Sequence, residues 1–154
     1  MEKSGMKDSA FSRVDQIGVV VRDLDRAIEY YESLGIGPFK SVSVTVKERL
    51  VRGEPNDTWK FKICTADMGP VQFELVQPVS GETIHKEFLE SAGEGINHLA
   101  FFVSDFEKEY ARLVEQGLKV IYCVRFEPSG GAAYFDTGEV GGVLFEIIQL
   151  PPKG

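Results

Sequence analysis

The chain has 154 residues, of which 43% are hydrophobic and 27% are charged, a balance typical of a folded globular protein with its own core. Asp and Glu number 24 against 17 Lys and Arg, which gives a formal net charge of −7 at pH 7. This acidic balance argues against nucleic-acid binding, because such binding needs a cationic face that displaces counterions from phosphates.

Residues 1–12 are mostly polar and charged and contain no apolar stretch typical of a signal peptide, so we predict a loose leader ahead of one domain at 13–150. No apolar run approaches the roughly 20 residues that a membrane-spanning helix needs. Cys64 and Cys123 lack the spacing of a metal-binding pair, and we expect both to be buried, reduced thiols. The sequence therefore predicts a cytoplasmic protein without membrane or nucleic-acid partners.

The first predicted strand recurs later in the chain as part of an internal repeat. The run at 14–21 aligns without a gap with the run at 96–103, at an offset of 82 residues that places Gln16 on His98. Both runs are rich in β-branched and aromatic residues, which predicts β-strands.

A helix is predicted after each of these strands. Asp23 and Asp105 are suited to cap the two helices, because a short carboxylate accepts the free backbone N–H groups of a first turn. Apolar residues at helical spacing then run to Gly35 and Gly117, at the same offset, and glycine can end a helix in the left-handed conformation. A separate helix at 83–91 is predicted to connect the two copies.

A second matched pair of strands closes each copy. The run at 71–77 resembles the run at 143–149, now at an offset of 72 residues that places Glu74 on Glu146. The shorter offset means that the second copy has lost about ten residues from its middle. The remaining strands are predicted at residues 41–46, 59–65, 118–124 and 132–135.

Together these elements predict an α+β fold made of two tandem βαβββ modules. Module one spans residues 13–78, a linker helix lies within 79–95, and module two spans 96–150.

Four polar residues occupy equivalent positions in the two copies: Gln16, Glu74, His98 and Glu146. Glu74 and Glu146 lie within strongly apolar strands, where a buried carboxylate is costly unless it is paired, hydrogen-bonded or bound to a cation. If a pseudo-twofold axis brings the two modules together, one nitrogen and three oxygen donors meet. Such a set suits one divalent ion among Zn²⁺, Mn²⁺, Co²⁺, Ni²⁺ and Fe²⁺.

Three runs resemble the vicinal-oxygen-chelate (glyoxalase/bleomycin-resistance/dioxygenase) superfamily, and within it the methylmalonyl-CoA epimerases: residues 15–24, 93–100 and 141–146. The resemblance implies a cupped, glyoxalase-like sheet in which Gln16, Glu74, His98 and Glu146 hold one divalent metal. In that family the metal chelates two neighbouring substrate oxygens and stabilises an enolate. Glu146 is then the first candidate for the catalytic base.

Two features depart from the epimerase pattern. Gln16 stands where epimerases usually carry a histidine, and the resulting ligand set resembles that of some glyoxalase I enzymes. An epimerase also needs a second base on the opposite face of the reacting carbon, and the strand around 60–64 offers only Lys60 and Lys62. A lysine acts as a base only if burial lowers its pKa, and Glu74 is the alternative catalytic residue.

Three further residues are predicted to bind substrate. Arg49 lies in the segment 47–59, which we expect to be irregular and to border the pocket, where it would meet an anionic group. Lys62 would bind a substrate phosphate, and Tyr134 follows a glycine-rich turn that substrate could approach closely. His85, on the polar linker helix, is expected at the surface.

The leading functional prediction is a metal-dependent isomerase or epimerase that removes a proton next to the carbonyl of a small acid or acyl-CoA. The alternatives are a glyoxalase I-type lyase with the same enolate chemistry and a metal-free small-molecule-binding protein of the same fold. An extradiol dioxygenase is disfavoured, because Gln16 replaces one of the two histidines that would hold its iron. The family likeness also implies a homodimer.

Overall fold

The computed structural model describes residues 9–153, which form ten β-strands and three α-helices and so confirm the predicted α+β class. The strands are β1 Gln16–Val20, β2 Lys40–Ser41, β3 Val46–Val51, β4 Glu54–Pro55, β5 Lys60–Met68, β6 Val71–Ser80, β7 Gly95–Phe102, β8 Val120–Phe126, β9 Gly131–Phe135 and β10 Leu144–Gln149. The helices are α1 Leu24–Ser33, α2 Ile84–Ala92 and α3 Phe106–Glu115. None of these helices is long and apolar enough to cross a membrane.

One mixed sheet contains all ten of these strands, in the order β2-β5-β6-β1-β7-β10-β9-β8-β3-β4. At its centre β1 pairs parallel with β6 and antiparallel with β7, and β7 pairs parallel with β10. The sheet curls into a half-barrel with a cavity on its concave side. Helices α1 and α3 pack on the convex side. This is the cupped sheet that the sequence resemblance implies.

The helix ends follow the sequence prediction. The carboxylates of Asp23 and Asp105 each accept a hydrogen bond from a backbone N–H three residues ahead, both at 3.1 Å. Gly35 and Gly117 follow the two helices with φ of +90° and +96°, a conformation that a Cβ would disfavour.

In each copy, a glutamine on the last strand accepts a hydrogen bond from the first residue of the helix. The Leu24 N–H donates to Gln77 Oε1 at 2.9 Å, and the Phe106 N–H donates to Gln149 Oε1 at 2.8 Å. Leu24 and Phe106 are both first residues of their helices, and the two glutamines end the two matched runs of the sequence. The repeat therefore extends to equivalent hydrogen bonds between helix and sheet.

Two apolar clusters hold the helices against the sheet. The cluster under α1 includes Val19, Leu24 and Leu75. The cluster under α3 includes Phe106, Leu113, Phe135 and Ile147. Each large side chain buried in this way stabilises the fold by roughly 1.5–3 kcal/mol. Cys64 and Cys123 lie in these clusters as buried free thiols, as predicted.

The described end of the predicted leader packs onto the domain. The ring of Phe11 contacts Phe101 and Phe145 edge-on, with ring centroids 5.0 Å apart in both pairs. Through Phe11 this end of the predicted leader therefore packs against the cluster under α3, on the convex face of the sheet. Residues 1–8, the rest of the predicted leader, lie outside the described residues.

The segment predicted to be irregular at 47–59 instead contains most of the hairpin formed by β3 and β4. The strand predicted at 41–46 is also wrong in its middle, since β2 ends at Ser41 and β3 begins at Val46. β3 pairs antiparallel with β8, which places Arg49 opposite Val124. The sequence of β3 does not alternate between apolar and polar residues, so it lacks the usual pattern of a strand. Its pairing with β8, which is distant in the sequence, also leaves no local signal.

Candidate functional site

The four equivalent residues share one face of the sheet: Gln16, Glu74, His98 and Glu146. Gly18 of β1 pairs with Glu74 on one side and with His98 on the other. Ala100 of β7 pairs with Gln16 and with Glu146. Side chains two residues apart on a strand point to the same face. All four side chains therefore project from the concave face of the four central strands.

These side chains meet in a buried group, which we call the acceptor cluster. His98 Nε2 lies 3.2 Å from Glu74 Oε1 and 3.3 Å from Glu146 Oε1. Each of the four residues is at most 6% exposed. Within residues 9–153, Gln16 Oε1 and the same two carboxylate oxygens have no hydrogen-bond partner. Buried oxygens without donors are destabilising unless something else, such as a cation, satisfies them.

Asn97 fixes the proton on the His98 ring. His98 Nδ1 lies 3.1 Å from Asn97 Oδ1, and an amide oxygen only accepts, so Nδ1 carries the hydrogen and donates it. In the neutral ring with its hydrogen on Nδ1, His98 Nε2 carries a lone pair. One nitrogen and three oxygen lone pairs thus converge on one place, which is the donor chemistry of a divalent-metal site.

The separations between donors also fit a metal ion. Two donors that are each about 2.1 Å from one ion lie roughly 3.0–3.4 Å apart at right-angled to tetrahedral coordination. The two distances from His98 Nε2, 3.2 and 3.3 Å, fall in this interval. As it stands, no group of three or more His, Cys, Asp or Glu side chains in the described residues has the full geometry of a metal-holding cluster. The unpartnered oxygens still favour a bound cation, because the described residues offer them no donor.

Burial dominates the electrostatics of the cluster. It raises the pKa of Glu146 well above its usual range, and repulsion from Glu74 raises it further. Burial and the same two carboxylates also raise the pKa of the Tyr134 hydroxyl. A bound cation would favour the ionised carboxylates and reverse the shift at Glu146.

Gly18 makes room for the His98 ring. A Cβ added to Gly18 would lie 1.9 Å from His98 Cε1 and 2.2 Å from Nε2. The imidazole therefore packs directly on the backbone of β1, which no residue larger than glycine permits at this position.

The sequence predicts His85 at the surface, and this prediction is wrong. His85 is 1% exposed and lies at the start of α2. Its Nε2 lies 3.3 Å from the Tyr134 hydroxyl, which is itself 3.5 Å from His98 Nε2. Burial, with a smaller contribution from His98, lowers the pKa of His85 to about 3. The missed signal is helical spacing, since His85, Phe88 and Leu89 lie on one face of α2.

A cavity of about 590 Å³ opens from the acceptor cluster. Gln16, Glu74 and Glu146 line it together with mainly aromatic and aliphatic side chains. Sequence reasoning missed the aromatic wall, in which the rings of Trp59 and Phe61 stack with centroids 4.6 Å apart. Concave apolar cavities with a few convergent polar groups are typical of small-molecule sites.

The three predicted substrate-binding residues all border this cavity: Arg49, Lys62 and Tyr134. The Tyr134 hydroxyl lies among the acceptor cluster, and the guanidinium of Arg49 lies over the Trp59 ring, with Cζ 4.6 Å from the centroid. Lys62 shares its strand face with Cys64, which packs under α1. Its side chain therefore leaves β5 on the convex side, and only Arg49 and Tyr134 aim at the cavity.

Sequence comparisons with known proteins found a family and a relative. The sequence matches the profile of the glyoxalase/bleomycin resistance protein/dioxygenase superfamily over residues 15–135. The uncharacterized protein YqjC of Bacillus subtilis (strain 168) is 28% identical over 147 residues, which are 93% of this chain and 94% of that protein.

Solved structures of epimerases have the same fold. Methylmalonyl-CoA epimerase from Mycobacterium tuberculosis is 28% identical with a TM-score of 0.69, over 94% of this chain and 92% of that chain. Streptomyces coelicolor methylmalonyl-CoA epimerase in complex with 2-nitronate-propionyl-CoA is 21% identical with a TM-score of 0.68, over 91% and 98% of the two chains. At that lower identity the second likeness shows the fold alone.

Proposed function

We propose that this chain, which belongs to the glyoxalase/bleomycin resistance protein/dioxygenase superfamily, is a divalent-metal-dependent isomerase or epimerase. It would remove a proton next to the carbonyl of a small acid or acyl thioester such as an acyl-CoA. The observation that carries the proposal is the acceptor cluster, in which three buried oxygens and one histidine lone pair converge without donors. The likeness to the Mycobacterium tuberculosis epimerase supports it.

Gln16, Glu74, His98 and Glu146 would hold the ion, a zinc, cobalt, nickel, manganese or iron cation. When bound, such an ion supplies Lewis-acid stabilisation of negative charge on the substrate's carbonyl oxygen. Gln16 is oriented for this task, because its Nε2 donates to Gln72 Oε1 at 3.2 Å and leaves the amide oxygen for the ion.

Glu146 is the residue best placed to move the proton. Its carboxylate lies in the cavity wall and would take the proton from the carbon next to the carbonyl, becoming a carboxylic acid. The Tyr134 hydroxyl lies beside this group, 3.5 Å from His98 Nε2. The surrounding apolar wall keeps water away from the deprotonated carbon.

The second base separates an epimerase from a lyase. Among the described residues that line the cavity, Glu74 and Glu146 are the only carboxylates. Lys62 leaves its strand on the convex side, so it is poorly placed to act as the base. Glu74 is therefore the group that would work opposite Glu146, and this favours a glyoxalase I-type lyase as the second candidate function.

Metal content and proton exchange together test the proposal. We expect about one equivalent of divalent metal in wild-type protein and less than a tenth of that in Glu146→Gln, measured by elemental analysis after reconstitution. Glu139→Gln, an exposed acid outside the cavity, is the control and should keep the metal. Wild-type protein should exchange the proton next to the carbonyl of methylmalonyl-CoA for solvent deuterium, and Glu146→Gln should be slower by about 100-fold or more.

The outcomes separate three functions. Exchange into the acyl thioester supports the isomerase, and turnover of the methylglyoxal–glutathione hemithioacetal without it supports the lyase. If wild-type protein takes up no metal on reconstitution, the proposed chemistry fails and the metal-free binding protein becomes the better account.

A further inference from the structure

A second set of unpartnered polar atoms lies in the same cavity, outside the acceptor cluster. Arg49 Nε and Trp59 Nε1 are buried N–H donors with no hydrogen-bond partner among the described residues. Both residues line the cavity, and Trp59 is 3% exposed. Buried donors are rarely left unpaired, because they have lost water without gaining an acceptor. Two of them in one cavity wall point to a ligand that accepts from them.

Arg49 also differs from three other arginines of the chain. Arg52, Arg112 and Arg125 each form an ion pair with a glutamate, at 2.9, 2.7 and 2.7 Å. Arg49 forms no such pair within residues 9–153. Its guanidinium instead lies over the Trp59 ring, 4.6 Å from the centroid, and this cation–π contact holds the charge in place.

We propose that Arg49 and Trp59 form a carboxylate subsite, which binds one end of a small organic acid in the cavity. A guanidinium matches the planar fork of a carboxylate, and the indole N–H adds a neutral donor beside it. The other lining residues include Phe61, Tyr122 and Val124, so the body of the acid would be hydrocarbon. The placement of its reacting carbonyl at the acceptor cluster rests on the proposed function, whereas the carboxylate subsite does not.

Charge favours a carboxylate over a phosphate at this subsite. It offers one cation and two unpartnered donors, and the same cavity holds Glu74 and Glu146. A phosphate dianion would bring twice the negative charge towards these two carboxylates and would leave several of its oxygens without donors. A monoanionic carboxylate matches both the charge and the number of donors.

Trp59 makes the test direct, because it is the only tryptophan in the chain. Its emission would be followed while protein stripped of metal by a chelator is titrated with phenylacetate. Phenylacetamide has the same shape without the charge, and inorganic phosphate is the rival anion. We expect phenylacetate to give a saturable change in emission, and both other probes to bind at least about tenfold more weakly.

Substitutions then assign the binding to the two donors. Arg49→Gln should weaken phenylacetate binding by about 10- to 100-fold, and Arg49→Lys, which keeps the charge but not the planar fork, should fall between. Trp59→Phe keeps an aromatic ring and removes the N–H; its weaker binding would be followed by ligand-observed NMR. Arg52→Gln is the matched control, because Arg52 pairs with Glu87 and does not line the cavity, and it should bind as wild type does.

Three results would overturn the subsite: no saturable change with phenylacetate in wild-type protein, equal affinity in Arg49→Gln and wild type, or tighter binding of phosphate than of phenylacetate. Circular dichroism of each variant would establish that it is folded. The metal proposal fails independently, because these titrations use metal-free protein. Glu146→Gln is expected to lose the metal and still bind phenylacetate, whereas Arg49→Gln is expected to keep the metal and lose phenylacetate.

Discussion

Replacing Gly18 with alanine tests the most crowded contact of the acceptor cluster. The added Cβ would lie 1.9 Å from His98 Cε1, whereas carbon atoms in contact are about 3.5 Å apart. The imidazole would have to move by roughly 1.5 Å, which would change its contacts with the two glutamate oxygens that now lie 3.2 and 3.3 Å from its Nε2. It has little room, because the Tyr134 ring packs on it with centroids 4.9 Å apart.

We expect Gly18→Ala to lower the free energy of unfolding by about 1–3 kcal/mol, the usual cost of overpacking. Metal affinity should fall by about 100-fold, because a displaced histidine no longer reaches an ion held by the other three donors. Competition with a chromophoric chelator measures the affinity, and urea denaturation measures the stability.

Gly138→Ala is the matched control, because its added Cβ would lie at an ordinary 3.5 Å from the nearest atom, Leu144 Cδ2. It should behave as wild type in both assays. If Gly18→Ala also binds metal with wild-type affinity, then His98 does not hold the ion from this position.

Three further changes probe the buried groups. Burial raises the pKa of Glu146, so the stability that this residue contributes is present below its ordinary pKa of 4.5 and is lost as the pH rises. Glu146→Gln should therefore make the metal-free protein more stable than wild type at neutral pH but not at pH 4, as measured by thermal denaturation. The pKa of His85 is lowered from 6.5 to about 3, so between neutral pH and pH 5 wild-type protein should lose about 2 kcal/mol relative to His85→Gln, measured as the difference between the two in urea titrations. Asn97→Ala should weaken metal binding by about 10- to 100-fold in chelator competition while leaving the fold intact, because the His98 ring loses the acceptor that sets its tautomer; unchanged affinity would show that the tautomer is set elsewhere.

The sequence predicts the fold well where the two copies resemble each other. Matched apolar runs and matched caps predict the central strands and α1 and α3, because their local chemistry and their position in the repeat give the same answer. The repeat also predicts that Gln16, Glu74, His98 and Glu146 are equivalent. The strand register then brings them to one face, although their role as metal ligands remains a prediction.

The wrong predictions concern segments of one copy that have no counterpart in the other. The β3–β4 hairpin is stabilised by pairing with β8, and this long-range partner leaves no pattern in the local sequence. The burial of His85 depends on α2 packing against the sheet, and its one local signal is the helical spacing of His85 with Phe88 and Leu89. The aromatic wall of the cavity depends on the curvature of the sheet, which the sequence does not specify residue by residue.

The matched and unmatched parts of the chain would have different roles in the site. The matched strands supply the acceptor cluster, whose donors would hold the ion and carry the proton. The unmatched middle of the first copy supplies Arg49 on β3 and Trp59 just before β5. Because the same segment would recognise the carboxylate of the substrate, changes there should alter which acid is bound. Changes in the matched strands should abolish the metal chemistry for every substrate, so exchange assays on a panel of acids would separate the two effects.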